Sequence, residues 1–170
     1  MKVLLAAVIA MLSGSALAQD HQHRHAPYAG MQAQAVKALS DQQVADLRAG
    51  RGMGLALAAE LNGYPGPLHV IELADRIGLS NEQRQRVQRL YDAMKVEAVA
   101  MGEKLISAET ALDRAFKDRS ITPERLTELS AAIGMTQGEL RAVHLKYHLI
   151  TAELLSPDQS RRYSELRGYR

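Results

Sequence analysis

The sequence predicts an all-α fold, and three observations carry the prediction. The motif Leu-Ser-x-x-Gln occurs three times, apolar residues recur at helical spacing over two long stretches, and no segment alternates as a strand would. The motif copies are Leu39-Ser40-Asp41-Gln42-Gln43, Leu79-Ser80-Asn81-Glu82-Gln83 and Leu155-Ser156-Pro157-Asp158-Gln159. In each, the serine hydroxyl is placed to accept from the free N–H groups of a first helical turn. The glutamine three residues on can reach back to the serine N–H, completing a capping box. Pro157 stands at a first helical position, where a missing N–H costs nothing.

Residues 1–18 read as a secretion leader. Lys2 supplies a positive end, residues 3–12 an apolar run, and Ala16-Leu17-Ala18 a small-x-small cleavage site. No later stretch approaches the ~20 apolar residues of a membrane span. A periplasmic location is therefore expected. With no cysteine, neither disulfides nor thiolate metal sites are available, and the fold must rest on apolar burial. A net charge of only +2 argues against a nucleic-acid partner.

The remaining chain divides into a histidine-rich segment, 19–38, short helices with a linker, 39–67, and a helical domain, 68–170. The first box opens a short helix over 41–49, stopped by Gly50, with Leu39 closing over Val44 as a hydrophobic staple. Residues 53–61 read as a second apolar helix, broken by Asn62-Gly63-Tyr64-Pro65-Gly66-Pro67. A third helix, 68–77, has Gly78 in the stop position.

The second box then opens a long helix to about residue 118. Its apolar stripe is Val87, Leu90, Met94, Ala98, Met101, Leu105, Ala108, Leu112 and Phe116. Thr122-Pro123 starts a second long helix with the stripe Leu126, Leu129, Ile133, Leu140, Val143, Tyr147, Ile150 and Leu154, in which Gly134 and Gly138 are candidate bend points. The third box opens a terminal helix, 157–166. The expected architecture is an elongated antiparallel long-helix hairpin with short flanking helices. So thin a hairpin leaves apolar surface that a second copy of the chain, or the short helices folding back, must cover, and a homodimer is expected.

A leader, the absence of cysteine, two long helices and the boxes at 79–83 and 155–159 resemble the periplasmic Spy/CpxP family, over residues 68–166. That family includes zinc-resistance and cobalt–nickel-resistance sensor proteins. The resemblance implies a cradle-like dimer without enzymatic activity. It implies either ATP-independent holding of unfolded polypeptides or transition-metal binding, with a report to a membrane-bound signalling partner.

Three features suit metal. His21, His23 and His25 alternate directly after the predicted cleavage site, and imidazole is a good ligand for Zn, Cu and Ni. His144 and His148, at i and i+4, project from one helix face beside the apolar stripe and flank the seam between the long helices, where they can share one ion; the alternative is a pair of partly exposed seam histidines with hydrogen-bond partners. They resemble a His-x-x-x-Met pair of the cobalt–nickel branch, with histidine in place of methionine. His69 has Glu72 one turn on, and Leu73 stands where that branch has a second histidine. The branch's carboxylate would fall near Tyr91 or Asp92. No cofactor is required by any of these readings.

For client binding the candidates are Met94 and Met101, soft and adaptable, with Arg84, Arg86 and Arg89 along the same helix. An enzyme is disfavoured. The serines mostly occupy cap positions, the glycines of Gly50-Arg51-Gly52-Met53-Gly54 follow no strand, and the carboxylates form no paired signature. The leading expectation is a periplasmic ATP-independent chaperone with metal as a modulator; the rival is a heavy-metal sensor or buffer.

Overall fold

The computed structural model describes residue 28 and residues 30–169. The leader and His21, His23 and His25 lie outside the described residues. Within them the chain is all-helical, with six α-helices: α1 (Asp41–Arg48), α2 (Leu57–Glu60), α3 (Pro67–Glu72), α4 (Asn81–Lys117), α5 (Pro123–Glu153) and α6 (Pro157–Arg167). A single 3-10 turn, Met31–Ala33, precedes them.

All three capping boxes form. Gln43, Gln83 and Gln159 N–H groups donate to Ser40, Ser80 and Ser156 Oγ at 3.1, 3.1 and 3.2 Å, and each serine N–H donates back to its glutamine's Oε1. Thr122 caps α5 in the same way, accepting from Arg125 N–H at 3.2 Å. Gly78, at φ 70°, ends the turn before the second box in the left-handed region that a side chain disfavours.

α4 has 37 residues, about 55 Å at 1.5 Å per residue, and packs along α5. The start of α4 lies beside the end of α5. Gln83 Nε2 donates to the Leu154 carbonyl at 2.9 Å, and Lys146 Nζ and Tyr147 OH reach the Glu97 carboxylate at 2.6 and 2.7 Å. α5 is continuous through Gly134 and Gly138.

The short elements differ from expectation. Only Leu57–Glu60 of the stretch 53–61 is helical, and the third helix is Pro67–Glu72, giving way to turns up to Gly78. Gly52 and Gly54 lower the helix preference at the start of the second stretch. The six-residue breaker instead supplies Pro67 as the first position of α3.

Two apolar clusters result. In one, Leu47 of α1 is driven between α4 and α5 onto Ala98, Leu105, Ile106, Ile133 and Leu140. Gly102 permits that approach, because a Cβ there would meet the Leu47 carbonyl oxygen at 2.6 Å. In the other, Val70, Ala74, Ile77 and Leu79 close over Val87, Leu155 and Tyr163. The segment 52–68 runs between the two, against the first half of α4 at Met94 and the last third of α5 at His144 and His148.

Candidate functional site

Residues from three distant stretches of sequence meet under this bridging segment. His69 of α3, Met94 of α4, and His144 and His148 of α5 line one cavity of about 260 Å³, together with Met53 of the α1–α2 loop and Glu60 of α2. The alternative that His144 and His148 are partly exposed is overturned: they are 2% and 8% exposed. They lie on the face of α5 that the bridging segment covers, and nothing in the local spacing announces that segment's return.

Glu60 organises one wall. It is an ionisable residue only 5% exposed, and it collects donors from three elements. Tyr163 of α6 donates its hydroxyl to Oε1, and His69 Nδ1 stands 3.3 Å from the same oxygen. Gly66 N–H donates to Oε2 at 3.2 Å, and Arg167 Nε lies 3.6 Å from Oε1. Burial alone would raise the carboxyl's pKa. The hydrogen bonds from His69 and Tyr163, with the charges of His69 and His148, bring it down to about 2, so Glu60 is an anion at neutral pH. The same burial and the Glu60 charge push the Tyr163 phenol well above its ordinary value.

The two α5 histidines are held differently. His148 Nδ1 is 2.7 Å from the Tyr64 carbonyl and 3.6 Å from Glu60 Oε2. A carbonyl only accepts, so Nδ1 carries a proton, and Nε2 is the ring nitrogen left to coordinate an ion. Against that edge lies Gly66, where a Cβ would sit 2.8 Å from Nε2. Its φ of −82° suits any residue, so glycine is there for space. Among the described residues His144 Nε2 is buried with no hydrogen-bond partner. Burial and the neighbouring His148 push its pKa down, favouring the neutral ring that ligates metals.

Other expected residues lie elsewhere. Glu72 and Asp92 are exposed, Asp92 accepting from Gln88 at 2.9 Å, and His69 pairs with Glu60 instead of Glu72. Met94 is buried in the cavity wall, and Met101 is half-buried against the first apolar cluster. Arg84 pairs with Asp75 at 2.6 Å, while Arg86 and Arg89 are exposed on α4.

Sequence reasoning missed Glu60, Tyr163, Gly66 and Met53. One signal was present: Glu60 is the only charged residue between Arg51 and Glu72, histidine aside. A lone carboxylate in so apolar a stretch is either exposed or paired inside.

The arrangement brings together nitrogen donors of the kind that coordinate metal ions. It offers a neutral buried imidazole without a partner among the described residues, a second imidazole with its Nδ1 held by a carbonyl, and a glycine leaving room beside that second ring. Among the described residues no three His, Asp or Glu side chains are arranged to share one ion, so the two imidazoles would need donors of another kind. No family model, no curated protein and no solved structure matches this chain.

Proposed function

We propose that the chain is a periplasmic metal-binding protein of the Spy/CpxP type, a sensor or buffer that takes a transition-metal ion at His144 and His148. The observation that carries this reading is the cavity. Histidines far apart in sequence line one cleft, and among the described residues one of them has a buried ring nitrogen with no partner. Leaving such a nitrogen unpaired costs about 1–3 kcal/mol, a cost that a bound ion would offset. The bridging segment ties occupancy to shape, because Tyr64 and Gly66 both touch His148. A sensor of this design would change how residues 52–68 sit on the long helices and present that change to a membrane-bound partner. The elongated hairpin is read as pairing with a second copy into a cradle-like homodimer.

Titration calorimetry with Zn(II) and Ni(II) tests the reading on three proteins: the wild-type chain, His144→Ala/His148→Ala, and a chain lacking residues 19–25. The double variant is expected to lose one binding event that the deletion retains. Full affinity in the double variant, with binding abolished by the deletion, would assign the metal to the histidine-rich segment and sink the cavity site.

A client-holding activity is the second reading. It is favoured by Val96 and Leu149, which stay exposed on the long helices, with Arg86 and Arg89 exposed on α4. Suppression of aggregation of an unfolded client in chelator-containing buffer would support it. Suppression only when metal is added would make the cavity its switch.

A further inference from the structure

The donors left free at the cavity are soft ones. Glu60 has both carboxylate oxygens committed to Tyr163, His69 and Gly66, so it is not a spare oxygen ligand. His69 is turned to Glu60 through Nδ1, with its Nε2 3.5 Å from an Arg167 nitrogen. What remains is His144 Nε2, His148 Nε2, and the thioethers of Met94 and Met53.

Met53 occupies an unusual position. It lies between Gly52 and Gly54 with φ 44°, a left-handed backbone that non-glycine residues seldom adopt. It borders the cavity while keeping 41% of its surface exposed. An unbranched thioether on a glycine-flanked loop can swing inward with little resistance.

Resting on the metal-binding reading above, we propose that the cavity selects a soft monovalent ion, Cu(I), held by His144, His148, Met94 and Met53. Thioethers bind Cu(I) well and are poor ligands for Zn(II) or Ni(II), which favour imidazole, carboxylate and water. Charge points the same way. Imidazole and thioether coordinate as neutral ligands, and the one anion in the wall is already paired with Arg167 and His69. Much of the remaining lining is apolar, with Ala56, Leu57, Pro67 and Leu68. The solvation cost of transfer to such a site grows with the square of the charge, so +1 enters far more readily than +2.

The test is an anaerobic competition titration of Cu(I) against a chromophoric chelator, with Zn(II) titrated in parallel. The background protein carries His21→Ala, His23→Ala and His25→Ala, so that this segment does not compete. One Cu(I) per chain is expected, with X-ray absorption showing both sulfur and nitrogen neighbours. Met94→Leu conserves volume, and circular dichroism checks its fold. Met53→Leu/Met94→Leu should weaken Cu(I) by at least about 10-fold and leave any Zn(II) affinity unchanged. Gly66→Ala, which places a methyl beside His148 Nε2, should weaken both ions. Unchanged Cu(I) affinity in the methionine double variant, or a shell without sulfur, would overturn the choice of ion. If Zn(II) binds through His144 while Cu(I) binds no more tightly, the soft-ion inference fails and the metal-binding reading stands. If neither ion depends on His144, both fail.

Discussion

The two ends of α4 belong to one uninterrupted helix with one apolar stripe, yet they meet different surroundings. At its start, Val87 is completely buried, and α3 and α6 close over it through Val70 and Tyr163. At its end, Phe116 lies on the same stripe and is 53% exposed, as is much of Leu126 across the α4–α5 turn. The distal half is covered by α1 and the segment before it, with ion pairs at the surface, Lys37 to Asp113 at 2.8 Å and Arg48 to Glu103 at 3.0 Å. Such exposed pairs contribute little. A stripe states which face of a helix is apolar. It does not state where the chain will return to cover it.

The capping boxes repeat the contrast. At the first, the Gln43 amide serves only its own serine among the contacts seen. The second and third boxes dock on each other. Gln83 and Gln159 exchange amide hydrogen bonds at 2.9 and 3.0 Å, Gln83 also donates to the Leu154 carbonyl, and Gln159 to the Gly78 carbonyl at 3.1 Å. Both amides thereby use two donors and two acceptors, and a local cap becomes a clamp between α4 and α6.

The sharpest way to break this comparison is to remove Tyr163. Tyr163→Ala takes away the largest fully buried side chain among the described residues and one hydrogen-bond donor to Glu60, and is expected to cost ~3–5 kcal/mol in urea unfolding. A cost near that of an exposed aromatic would show that the closed end contributes no more than the open one.

Glu60→Gln comes next and has a pH signature. The carboxyl titrates at about 2 when folded and near 4.5 when unfolded, so the unfolded chain binds the proton more tightly. The associated stability is fully present above pH 4.5 and is lost as pH falls toward 2. A shift of this size corresponds to about 3 kcal/mol at neutral pH. Denaturant midpoints measured from pH 7 to pH 2 should fall less steeply for the variant; superimposable curves would refute the buried anion.

The boxes give a smaller effect and a cleaner contrast. A double-mutant cycle on Gln83→Ala and Gln159→Ala should return a coupling of about 1–2 kcal/mol, whereas Gln43→Ala with Gln159→Ala should be additive. Equal coupling in the two cycles would mean that the clamp does not form. The smallest change is expected of Phe116→Ala, at most about 0.5 kcal/mol, because the ring is already half in water. A larger loss that appears only at high protein concentration would show a second copy covering that end.

The sequence by itself determined the helices. The three boxes, Thr122 before Pro123, Gly78 and the 3-4 spacing of leucines, methionines and alanines are local signals, and capping and periodicity act between residues a few positions apart. They located α4, α5 and α6 to within about a residue, and proposed His144 and His148 as one pair. The short elements were less legible. Turns of four and six residues are held by what they pack against, and intrinsic preference is weak at that length. Only the tertiary structure decided the site. That His144 and His148 are buried, that Glu60 joins Tyr163 and His69, that Gly66 leaves space at a ring edge and that Met53 shares a cavity with Met94 all depend on residues 52–68 packing against the long helices. Contacts between residues 80 or 100 positions apart follow from the path of the chain, and no local spacing encodes them.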